Sequence, residues 1–129
     1  MYSRPDRFVI GIVIQDQAWA WGWDGLTQNP LRNVILGEEA AVVIFDQKNN
    51  SAQIFSRQSP EPATFGGHKL LTFSLDNDRM VDLETGSSWN PTTGEAIEGT
   101  LKGSKLKALP GIPSYRRTWE TFYPDSKFE

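Results

Sequence analysis

The chain has no cysteine and a single histidine among its 129 residues. Without thiols there is no disulfide, no thiol nucleophile and no thiolate metal site, and one imidazole cannot build a multi-histidine centre within one chain. No apolar run approaches the ~20 residues that cross a bilayer as a helix, so no transmembrane segment is expected. No charged-then-apolar leader ending in small residues is visible, so no signal peptide is recognisable in these 129 residues. Excess charge is scarce as well: 13 Lys and Arg stand against 16 Asp and Glu, a formal charge of −3. A phosphate-tracking surface needs a basic face. The one local basic excess, Lys102, Lys105 and Lys107 followed by Arg116 and Arg117, reads as a solvated face, and no nucleic-acid partner is expected. There is no G-x-G-x-x-G segment and no P-loop lysine, so nothing cradles a nucleotide phosphate.

What is present is punctuation and short apolar runs. Eleven Gly and eight Pro are too many for a helical bundle, while 38% hydrophobic and 22% charged residues suit a folded domain. The length fits one domain over 1–129, with 1–7 as a flexible N-terminal arm. Phe8–Ile14 and Ala40–Phe45 are nearly continuous apolar, β-branched runs and read as buried strands. Ala18–Trp23 follows a polar reversal at Gln15–Gln17 and makes a hairpin with the first run. Ser51–Arg57, Lys69–Leu75, Arg79–Leu83, Ala96–Gly99 and Lys105–Leu109 read as further short strands. Leu31–Leu36 is open between helix and strand. Thr85-Gly86 and Thr93-Gly94 mark tight turns whose glycines want positive φ. Thr118–Tyr123 makes one or two helical turns, capped by Ser114 or Thr118 and stopped before Pro124. The expectation is a mainly β fold: an antiparallel β-sandwich or partly open barrel of about seven to nine short strands with a short C-terminal helix.

Each group that offers chemistry has a plain structural alternative. Trp19, Trp21 and Trp23 fall at alternate positions, so on one strand they share a face. Exposed, they would present indoles to a sugar or a partner protein; buried, they form a core stripe. His68 follows Gly66-Gly67 in a loop, with no G-x-S-x-G pattern beside it. Asp76, Asp78, Asp82 and Glu84 cluster without EF-hand spacing and read as solvent-facing acids around a hairpin. A carboxylate-based hydrolase using Asp46, Asp78 or Asp82 is the catalytic alternative, because acid pairs are a matter of spatial separation. No cofactor and no metal site is expected.

A longer pattern is more specific. Leu71-Thr-Phe73, Asp82-Leu-Glu-Thr-Gly-Ser-Ser-Trp-Asn90, Thr93-Gly-Glu-Ala-Ile-Glu-Gly99, Leu101–Pro110, and Thr118-Trp119 with Tyr123-Pro-Asp125 occur in an order that resembles the bacterial and archaeal family named domain of unknown function 3179. Val9–Ile12, Ala18–Trp21, Asn33 before Gly37, and Ser51–Phe55 are similar in register. The resemblance implies a C-P-L-C-G segment ahead of the Ser51 strand, whose cysteines fall on Asp46 and Asn49, and a histidine that falls on Asn29. It also implies an exported location. Asp and Asn supply neither a redox thiol nor a soft-metal ligand. The resemblance therefore implies a degenerate member, a non-catalytic binding or assembly module with a protein as partner. A possible pocket would gather Asn29, Asp46, Asn49 and His68. A carbohydrate-binding module using Trp19, Trp21 and Trp23 is the remaining alternative.

Overall fold

A computed structural model describes residues 8–46, 48, 51–58, 70–77 and 79–128. Residues 1–7, expected as an arm, lie outside the described residues, as do Asn49, His68 and Asp78. Among the described residues, eleven strands and two short helices follow one another as β1 Phe8–Ile14, β2 Gln17–Gly22, α1 Trp23–Gln28, β3 Leu31–Leu36, β4 Glu39–Asp46, β5 Ser51–Ser56, β6 Phe73–Asp76, β7 Arg79–Asp82, β8 Ser88–Trp89, β9 Ala96–Glu98, β10 Ile112–Tyr115, α2 Arg116–Phe122 and β11 Lys127–Phe128. They form three sheets in the orders β10-β1-β2-β11, β3-β4-β5 and β6-β7-β8-β9. Pairing is antiparallel except for β11, which runs parallel to β2. The fold is thus mainly β and open, as expected, but with more strands than the turn spacing suggested.

The sheets stack because the central strands are apolar on both faces. Along β4, Ala41, Val43 and Phe45 pack with Ile10, Ile12, Trp19 and Trp21 of the first sheet. The intervening Val42 and Ile44 pack with Phe73, Met80 and Trp89 of the third. A strand covered on both sides has no reason to alternate polar and apolar residues, which is why its sequence runs as one apolar block. The first sheet repeats this arrangement. Its outer face carries Val9, Ala18 and Ala20 under Trp119 of α2. A Cβ at Gly11 would fall inside the Trp119 ring, so the missing side chain lets the indole lie on the strand.

Several local expectations are corrected. The β1–β2 hairpin turns through two residues, Gln15 and Asp16, both at positive φ (51° and 65°), the backbone of a type I′ turn. β2 ends at Gly22, and Trp23 opens α1 rather than continuing the strand. Leu31–Leu36 is a strand because β4 pairs with it over its whole length. Lys105–Leu109 forms no strand; Lys105 and Ala108 each make an isolated bridge, to Glu95 and Phe55. The second helix begins at Arg116 behind Tyr115, with no side-chain cap from Ser114 or Thr118. It ends where the Tyr123 amide bonds the Trp119 carbonyl, just before Pro124. Gly86 and Gly94 sit at φ +75° and +78°, as the turn reading required.

Candidate functional site

The tryptophans are core residues. Trp21 is 0% exposed and Trp19 6%, and Trp23, on α1, is half-buried against the same cluster. They do not form an exposed row because β2 is covered on one face by the middle sheet and on the other by α2. The indole N–H groups of Trp21 and Trp23 are buried without a hydrogen-bond acceptor among the described residues.

The Asp82 region is also architectural. Its carboxylate is 0% exposed, against the expectation of a solvent-facing acid. Oδ1 accepts the Thr85 amide at 2.6 Å and the Thr85 hydroxyl at 2.8 Å, and Oδ2 accepts the Trp89 indole N–H at 2.8 Å. With the Thr85 proton given to Asp82, the 2.7 Å contact between Thr85 Oγ1 and Ser87 Oγ has Ser87 as donor, and Ser87 Oγ accepts the Leu101 amide at 3.1 Å. The D-x-E-T-G-S-x-W segment is therefore a hydrogen-bonded turn built on one buried acid. Buried polar groups fold at little cost only when satisfied in this way.

Two side chains join the middle and third sheets. The Asn33 amide bonds the Phe73 backbone from both sides, Nδ2 donating to the carbonyl at 2.8 Å and Oδ1 accepting the N–H at 2.9 Å. One side chain thereby replaces a ladder pair between β3 and β6. Arg57, 7% exposed, donates to the carbonyls of Leu71 at 3.3 Å and Val34 at 3.1 Å. Burial pushes its guanidinium below the ordinary range, and Glu84 pulls it partly back.

Of the remaining sequence candidates, Asn29 and Asp46 lie at the far end of the middle sheet. Asn29 caps α1 with its amide on the Gly25 carbonyl, and Pro30, its neighbour, accepts the Phe45 amide at 2.7 Å. This bond draws the Asn29–Pro30 corner to the end of β4, where Asp46 sits. Pro30, Ile44, Phe45, Asp46, Lys48, Leu75 and Pro91 line a cleft of about 450 Å³. The Lys48 amide donates to Asp46 Oδ1 at 3.0 Å, which fixes the carboxylate on the rim. Asn29 stands one residue from the cleft and Asp46 in it. Sequence reasoning missed Ile44, Leu75 and Pro91: they come from three separate segments, and only the stacking of the sheets brings them together. Among the described residues, no group of three or more His, Cys, Asp or Glu is placed to hold a metal. No helix among them is long and apolar enough to cross a membrane.

A family model described as "Protein of unknown function (DUF3179)" matches residues 2–126. No curated protein and no solved structure matches the chain.

Proposed function

The chain belongs to this family of proteins of unknown function, and from that premise we propose that it is a non-catalytic binding module whose contact site is the cleft at the end of β4. The observation that carries this reading is the cleft itself. Its volume of about 450 Å³ lies in the range of small-ligand sites, roughly 300–1,000 Å³. Its walls are mostly apolar, with Asp46 and Lys48 as the charged residues among those described. The position that the family resemblance aligns with a cysteine is here an aspartate, so the residue at the rim contributes charge and hydrogen bonding rather than thiol chemistry. A protein partner would use the same place, inserting a short apolar segment.

The described residues favour the alternatives less. A carbohydrate module needs an exposed row of indoles, and Trp19 and Trp21 are buried. A two-carboxylate glycosidase needs a second acid facing the same space. Asp82 is committed to Thr85 and Trp89, Asp78 lies outside the described residues, and among the described residues Asp46 is the one carboxylate lining the cleft.

The test is a fragment screen on isotope-labelled protein, followed by amide and methyl shifts. Shifts grouped on Ile44–Lys48 and Leu75 are the expected result. Shifts confined to other surfaces, or none at millimolar fragment, would overturn the site. Turnover of ester, glycoside or phosphate substrates that disappears in Asp46→Asn would overturn the non-catalytic reading.

A further inference from the structure

We infer that the cleft takes a small zwitterion with an apolar body, of the class of an apolar α-amino acid or short apolar peptide; this rests on the cleft being the binding site. Three observations point there. The walls are hydrocarbon from Pro30, Ile44, Phe45, Leu75 and Pro91, and Leu75 keeps 39% of its surface exposed, so an apolar body would cover surface that the fold leaves wet. Both prolines have fixed φ, which makes two of the walls stiff before any ligand arrives. Among the described residues, the charged groups of the lining are one acid and one base, Asp46 and Lys48, two residues apart on a single turn.

Charge complementarity narrows the ligand. A purely anionic molecule would meet Lys48 favourably and Asp46 unfavourably, and a purely cationic one the reverse. A zwitterion presents its ammonium to Asp46 and its carboxylate to Lys48 while its side chain lies between the prolines. The Lys48 amide already holds Asp46 Oδ1 at 3.0 Å, so the acid is positioned by its own turn rather than by the ligand. Exposed charge pairs are individually weak, so each end of the ligand should matter by roughly 2–5-fold in affinity, with apolar contact supplying the rest. The volume of about 450 Å³ has room for a dipeptide.

The experiment titrates the labelled full chain with leucine, leucyl-leucine, N-acetyl-leucine, leucinamide and N-acetyl-leucinamide, following Ile44, Lys48 and Leu75 resonances. Leucine or leucyl-leucine should bind most tightly, and comparing these two separates the free amino acid from the peptide. Blocking either end should weaken binding several-fold. Asp46→Asn should erase the preference for a free amine, and Lys48→Gln the preference for a free carboxylate, both with unchanged spectra elsewhere. If N-acetyl-leucinamide binds the cleft as tightly as leucine, the zwitterion inference is wrong while the binding site stands. If none of the five moves these resonances, the inference is wrong, and the fragment screen decides separately whether the cleft binds anything.

Discussion

Asp82 and Asp46 each end a β-strand at a turn, and in each case the carboxylate holds a nearby backbone amide. Their surroundings separate them. Asp82 is buried within the third sheet, with Thr85 and Trp89 on its oxygens. Asp46 lies half-buried on the rim of an open cleft. The first carboxylate is an internal connector whose removal would leave buried donors without acceptors. The second is a charge facing a space that something else can enter. The contrast teaches that the polar motif with the most recognisable spelling is architecture here, while the candidate site sits at a turn with no motif of its own.

The largest effect is expected where the buried turn is broken. Asp82→Ala leaves the Thr85 amide and the Trp89 indole N–H without their acceptor and should cost ~3–5 kcal/mol, read from urea unfolding. If it costs as little as a surface change, Asp82 is not the connector described. Next is Gly11→Ala, whose new methyl would enter the Trp119 ring. Overpacking of this kind should cost ~1–3 kcal/mol, with a change in Trp119 fluorescence to place the strain. Asn33→Ala removes both bonds to the Phe73 backbone and should cost about 1–2 kcal/mol. Amide exchange should rise first at Phe73, because the loss loosens the junction of two sheets rather than either sheet. The smallest effect is expected at the other pole: Asp46→Asn should change stability by less than about 0.5 kcal/mol while altering ligand preference in the cleft. A destabilisation comparable to that of Asp82→Ala would make the two turns equivalent and remove the contrast.

Much of the β architecture is legible in the residues. The apolar blocks Phe8–Ile14 and Ala40–Phe45 and the Thr-Gly turns fall where strands and positive-φ glycines occur. The open readings and the misreadings arise where a neighbour decides. Leu31–Leu36 has no clean period, and it is a strand because β4 offers it a ladder. Lys105–Leu109 has strand composition but makes only single bridges. Trp23 continues the alternation of Trp19 and Trp21, yet α1 starts there. For the candidate site, Asn29 was legible only through the family resemblance, and Asp46 through that resemblance and as a candidate acid. Leu75 and Pro91 carried no signal, because a cleft wall is a relation between segments and not a property of either.

By itself the sequence determined that this chain is a β-rich domain without thiol chemistry, because strand preference and turn chemistry are local and cysteine is wholly absent. Which carboxylate is enclosed and which faces open space was decided only by tertiary structure. Burial is set by what packs over a residue, and the covering segments, Leu101 over Ser87 and the Pro30 corner against Phe45, are distant in the chain from the groups they enclose or expose.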